Sequence, residues 1–295
     1  MTVNKYPDSS YTDSNKTRRG EYMPFTNERI TERLLRIRCP GNVFAYLAVG
    51  SRQALLVDTG LGLYSLKEYV RSLSDLPLTV VATHGHLDHV GGAGEFPFVC
   101  VPKKDRQLAL NSIGKDARAN YLNGQGESVS YEDLIRELSE EQIRTYDPES
   151  VFDLGGYHVK MLPMYGHTQG SHCALFVEDR TVLFGDACNS AAFMQLNEST
   201  TIEEYRDNLK EFREKYSDLY DQVLYSHPHN FGGKEILDEM IGLCEEVMDP
   251  SFAGIPAGNI VTANCLFAKA ADDGMTRNDG KCANMVYRQE KVRKE

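Results

Sequence analysis

Short apolar runs with turn residues between them set the pattern of this chain beyond about residue 27. Leu34–Arg38, Val43–Val49 and Ala54–Val57 are separated by Pro-Gly and Gly-Ser turns, and predict an antiparallel meander of strands. Ser65 to about Leu73 reads as a helix, and Leu78–Ala82 as a buried strand running into Thr83-His84-Gly85-His86-Leu87-Asp88-His89. Residues 105–150 are mostly polar and helix-favouring, with a capping-type Ser130-Tyr131-Glu132-Asp133 ahead of Leu134 and Ile135. Further strands are predicted at Ser150–Phe152, Tyr157–Met161, Cys173–Val177, Thr181–Phe184 and Val223–Ser226. Helices are expected at about 201–217 and 233–248, and a closing strand at Ala283–Arg288.

Strands mixed with helices in both halves suggest two sheets with helices on the outside, with histidines and aspartates where strands end. That is where such a scaffold presents functional loops. Residues 1–27 are polar and without periodicity, and read as a flexible N-terminal arm through which a homodimer could form. Residues 28–295 read as a single domain with a helical lid insertion at about 105–150.

Composition adds limits rather than detail. A hydrophobic content of 41% with 25% charged residues is ordinary for a globular protein. No run approaches the ~18 apolar residues of a membrane span, and the N-terminus has no signal-type apolar segment, so a cytoplasmic location is expected. The net charge of −11 disfavours nucleic acid or an anionic membrane as partner and leaves a small-molecule substrate. Seven scattered cysteines without a CxxC pair read as reduced thiols.

The strongest chemical signal is the His84-x-His86-x-Asp88-His89 run. A tight loop after a strand, eased by Gly85, lets side chains two apart reach one metal, while Asp88 and His89 project toward a neighbouring position. Imidazole and carboxylate donors suit zinc and similar cations. With this run stand Asp58-Thr59-Gly60, Gly166-His167-Thr168-x-Gly170-Ser171, Phe184-Gly185-Asp186 and a histidine after a late strand. In these motifs the chain resembles the metallo-β-lactamase superfamily, over nearly all of its length beyond residue 30.

The resemblance implies an α+β fold, a four-layer αββα sandwich with the metal site at one sheet edge. It implies that His84, His86 and His167 hold one divalent ion, that Asp88, His89 and His227 hold a second, and that Asp186 bridges them. His227 is preferred to His229 because it directly ends its strand. Zinc is the expected metal, with iron or manganese as alternatives. Two ions, two carboxylates and a bridging hydroxide leave about +1 at the centre, able to accept charge developing on a substrate oxygen.

The function implied is hydrolysis of a carbonyl ester, thioester or lactone through that hydroxide, with Asp88 also orienting it or moving a proton. The stretch Leu56–Gly62 looks like the glyoxalase II-like and acyl-thioesterase branches. Phosphodiester or β-lactam hydrolysis and a mono-iron persulfide dioxygenase are the alternatives. Asp58 is expected to support the metal loops without ligating. His158 and His172 read as structural, and Cys188 as a buried thiol. Substrate choice is assigned to the lid and to the Asn189–Thr200 loop, with Tyr121, Tyr131, Phe193 and Met194 as candidates for an apolar wall.

Overall fold

In the first half of the chain, strands with apolar residues at nearly every position are buried on both faces, and period-two alternation sorts their side chains between two layers. The computed structural model describes residues 24–257, 264–272 and 277–294. Seven strands form the first sheet in sequence order: β1 (Thr26–Arg29), β2 (Leu34–Cys39), β3 (Val43–Val49), β4 (Ala54–Val57), β5 (Leu78–Val81), β6 (Val99–Pro102) and β7 (Ile143–Tyr146). The first four pair antiparallel, and from β4 onward the pairing is parallel. Helix α1 (Leu66–Leu73) crosses between β4 and β5, with Ser65 as its N-cap accepting from the Glu68 amide.

The second sheet has the order β13-β11-β10-β9-β8, built from β8 (Val151–Asp153), β9 (His158–Pro163), β10 (His172–Phe176), β11 (Thr181–Leu183) and β13 (Gln222–Leu224). Strand β12 (Ala192–Phe193) leaves it for a small third sheet with β14 (Ile255–Pro256), β15 (Leu266–Phe267) and β16 (Met285–Tyr287), where β12 runs parallel to β16.

Alternation decides the layers. From β3, Val43, Ala45 and Leu47 pack toward Leu66, Tyr69 and Val70 of α1. Phe44, Tyr46 and Ala48 face the other way and meet Val159, Met161, Ala174 and Phe176 of the second sheet. From β10, Cys173 and Leu175 point outward, onto α5 (Ile202–Tyr216) and α6 (Glu235–Val247). Helix, sheet, sheet, helix is the expected four-layer sandwich. Each large side chain buried in these layers stabilises the fold by roughly 1.5–3 kcal/mol. No helix among the described residues is long and apolar enough to cross a membrane.

Several boundaries differ from the sequence reading. The domain begins before residue 28, because Phe25 is buried against Tyr69 (ring centroids 5.3 Å apart) and Thr26 opens β1 on the edge of the first sheet. Residues 1–23, and with them most of the arm assigned to dimer contact, lie outside the described residues. The lid at 105–150 contains α3 (Arg106–Asn111) and α4 (Lys115–Gly124), but its last part is β7 of the sheet. No helix starts at Ser130. Asp133 closes a turn back to the Ser130 carbonyl, and Leu134 bridges to Leu63, because the Gly62 carbonyl and Tyr64 amide take up this segment as a short ladder.

Candidate metal centre

The site grows from strand ends. Strand β5 delivers Thr83 and His84, and the single turn α2 (Leu87–Val90) carries Asp88 and His89. The β9–β10 loop supplies His167, the segment after β11 supplies Asp186, and the one after β13 supplies His227. Two glycines are required by close approach. A Cβ on Gly85 would lie 2.8 Å from the Ala109 nitrogen of α3, and one on Gly166 would lie 2.1 Å from the Tyr205 ring of α5. Both histidine loops therefore sit against helices.

Two groups of donors come together: His84, His86 and His167, and Asp88, His89, Asp186 and His227, each with ligand atoms within 4.8 Å of one another. Asp186 Oδ2 lies between the groups, 3.2 Å from His89 Nε2, 3.3 Å from His227 Nε2 and 3.9 Å from His167 Nε2. Asp88 Oδ2 is 3.5 Å from His227 Nε2 and 3.7 Å from His89 Nε2. His227 stands in the second group, whereas His229 stacks on its ring at 5.5 Å and lines the adjoining cavity.

The other nitrogen of each ring fixes the tautomer. His167 Nδ1 donates to the Phe193 carbonyl (2.8 Å), His227 Nδ1 to the Asn42 carbonyl (2.9 Å), and His89 Nδ1 to Asp58 Oδ2 (2.9 Å). His86 is turned around: its Nε2 donates to Glu198 Oε1 at 2.7 Å, leaving Nδ1 inward. The Thr83 hydroxyl donates to Asp58 and so accepts from His84 Nδ1 at 3.1 Å. Each proton is thus committed outward, and bare lone pairs of His84 Nε2, His86 Nδ1 and His167 Nε2 face one another at 2.9–3.0 Å. Three converging lone pairs repel unless a cation joins them.

The second group gives the same answer, since Asp186 Oδ1 is buried with no hydrogen-bond partner. Donor chemistry, tautomers and orphaned oxygen all fit divalent cations. Electrostatics divides the halves. Burial and neighbouring imidazoles push His84 well below its ordinary pKa and His167 down to about 4, so both stay neutral. In the second group burial works against charge, but Asp88 and Asp58 hold His89 well above the usual range, and Asp186 lifts His227 to about 9. His227 and His89 in turn overcome burial to keep Asp186 ionised.

Asp58 is the hub of support. Fully buried at the end of β4 with φ +63°, it accepts from the Thr83 amide (2.7 Å), the Thr83 hydroxyl and His89. Sequence reasoning placed it in this role. It did not find Glu198, nor Asp105, which accepts from both the Gly85 amide (3.0 Å) and the Thr168 hydroxyl (2.6 Å) and so joins the two histidine loops. Nor did it find Arg118 of α4, buried, whose guanidinium donates to the carbonyls of Leu61, Gly91 and Ile135. None of the three belongs to a motif.

A cavity of about 290 Å³ opens at the cluster. Of the four wall candidates, Tyr121 and Phe193 line it. Tyr131 does not; it is 51% exposed, and its hydroxyl donates to Asp116. Met194 points instead into the core beneath α5. His158 pairs with Glu178 at the surface, His172 is buried between Tyr146 and Tyr165, and burial pushes the Cys188 thiol up to about 12.

Residues 40–219 match the model of the Metallo-beta-lactamase superfamily, and the chain belongs to that family. It is 28% identical over 228 residues to the Acyl-coenzyme A thioesterase MBLAC2 of Homo sapiens, covering 68% of this chain and 81% of that protein. It is 26% identical over 144 residues to the probable metallo-hydrolase YqgX of Bacillus subtilis (strain 168), covering 48% and 64%. Among solved structures, the metallo-beta-lactamase superfamily protein ST1585 from Sulfolobus tokodaii superposes with a TM-score of 0.53 at 18% identity, over 77% of this chain and 91% of that one.

Proposed function

We propose that this protein is a dinuclear metal-dependent hydrolase of acyl thioesters, with simple carboxylic esters and lactones as related substrates. The observation that carries the reading is the convergence of two donor groups, with committed tautomers, on one cavity. His84, His86 and His167 would hold one cation, Asp88, His89 and His227 the other, and Asp186 both; the histidine-rich set suits zinc, with iron or manganese as alternatives. Bound there, the ions supply Lewis acidity toward a carbonyl oxygen and lower the pKa of water, to about 7 for zinc.

The chain's own residues do the rest. Asp88 borders the cavity, and its carboxylate would orient the attacking water and hold its proton. Tyr121 lines the same cavity; burial, then the charges of Asp88 and Asp186, keep it a phenol, able to donate to a substrate oxygen. Leu87, Ala191, Phe193 and Leu196 give the apolar wall for an acyl group, and no Lys or Arg is among the described lining residues. The thioesterase name of the relative supports thioesters among carbonyl compounds.

The test is thiol release from acyl thioesters of increasing chain length, beside ester, lactone and phosphodiester substrates. Thiol release that chelation abolishes and zinc restores, and that His84→Ala lacks, is the expected result. Turnover of the phosphodiester alone would overturn the reading.

A further inference from the structure

The β12 strand and the loop after it carry three features of the site: the Phe193 carbonyl that fixes His167, Leu196 of the cavity wall, and Glu198 on His86. Residues 194–200 have no strand or helix of their own. Their far end bonds back to the site loop, Ser199 Oγ to the His167 carbonyl (2.8 Å) and the Thr200 amide to the Gly166 carbonyl (2.9 Å). The turn itself is held from the C-terminal segment, beyond the stretch 40–219 that matches the family. We propose that Lys291 is a positioning residue for the metal centre, whose ammonium gathers the carbonyls of the Leu196–Ser199 turn and thereby fixes the Glu198 carboxylate against His86.

The geometry is specific. Lys291 Nζ, with three N–H donors, donates to the carbonyls of Leu196, Asn197 (3.3 Å) and Ser199 (2.6 Å). Those three carbonyls flank Glu198 on both sides. Within the turn, the Ser199 amide donating to the Leu196 carbonyl (3.2 Å) is a single backbone bond, too little to set the direction of a side chain. The strand before it is anchored by the same segment, through the pairing of β12 with β16 and the Met194 amide on the Val286 carbonyl (2.8 Å). Arg288 adds a bond to Asn197 Oδ1 at 2.8 Å. Glu198 then reaches His86 Nε2 at 2.7 Å, the bond that turns Nδ1 of that ring inward. Partners of this kind behind a ligating histidine change metal affinity by about 10–100-fold when removed.

The test uses the full chain as Lys291→Met, Lys291→Arg, Glu198→Ala and the double variant Lys291→Met/Glu198→Ala. Zinc affinity is read by competition with a chromophoric chelator, and loop order by amide hydrogen exchange. Lys291→Met and Glu198→Ala are each expected to weaken one of two zinc equivalents by about tenfold or more, and the double variant no further. Lys291→Arg should recover most of the affinity. Exchange in 194–199 should quicken in Lys291→Met while α6 keeps its protection. Wild-type affinity and exchange in Lys291→Met, or losses that add in the double variant, would overturn the proposal. So would a methionine variant that unfolds throughout while Lys291→Arg folds without recovering zinc binding. The choice of donors rests on the metal-hydrolase reading, but these readouts need no substrate. If wild-type protein releases no thiol and these results still hold, the substrate assignment fails and the positioning role stands.

Discussion

Asp186→Ala is expected to lower thioester turnover by about 10³-fold or more while leaving the chain folded. The loss is large because, among the described residues, this carboxylate faces both donor groups, with Oδ2 within 3.9 Å of histidines from each and Oδ1 buried without a protein partner. Without it the residues of the two groups would hold their cations less well and give up part of a transition-state stabilisation worth several kcal/mol, and each ~1.36 kcal/mol is a factor of ten. Folding is spared because no unpaired charge is left buried: His227 sheds its proton once the carboxylate that lifts it is gone, and His89 keeps Asp88 and Asp58. The measurement is kcat/KM with metal content on the same preparation. An alanine variant retaining more than a tenth of wild-type turnover would show that Asp186 does not couple the two halves.

Asp58 gives the second large effect, on stability as well as on metal. Its carboxylate is the buried acceptor for the Thr83 amide, the Thr83 hydroxyl and His89 Nδ1. Removing one partner of such a buried, charged network costs about 3–5 kcal/mol. Asp58→Asn keeps a residue type that tolerates φ +63°, so its loss reports the carboxylate. Asp58→Ala adds the left-handed backbone penalty, of the order of 1–3 kcal/mol. Both variants should also bind zinc about 10–100-fold more weakly, since His89 and Thr83–His84 lose the group that orients them. Urea unfolding of zinc-loaded and chelated protein checks both parts. Equal stability of Asp58→Asn and wild type after chelation would mean that the network contributes only through the metal.

The frame of the fold was legible because its strands are apolar on both faces. Runs such as Val43–Val49 and Cys173–Phe176 can be buried only between two further layers, so a sheet covered on both sides follows from them. The ligand candidates were legible because closely spaced histidines and aspartates after a strand stand out from ordinary loop composition. Strands β6 and β7 did not, because Val99–Pro102 and Ile143–Tyr146 are four residues each, and Arg144 and Thr145 are polar and exposed. Glu198, Asp105 and Arg118 were invisible for a different reason. They act on backbone groups and rings far away in sequence (Arg118 on Leu61, Asp105 on Thr168), and a single polar residue has no periodicity to betray such a partner. Tyr121 and Tyr131 show the same limit. Both lie in the lid, yet Tyr121 on α4 lines the cavity while Tyr131 turns outward with its hydroxyl on Asp116, a difference that neither tyrosine's neighbours in sequence signal.

The central claim, two neighbouring cation sites that share Asp186, is tested most directly by metal stoichiometry. Chelated protein titrated with zinc should take up two equivalents per chain. His84→Ala and His227→Ala should each lose one tight equivalent, from different halves of the site. Uptake of no metal, or of one equivalent removed alike by both substitutions, would contradict the account.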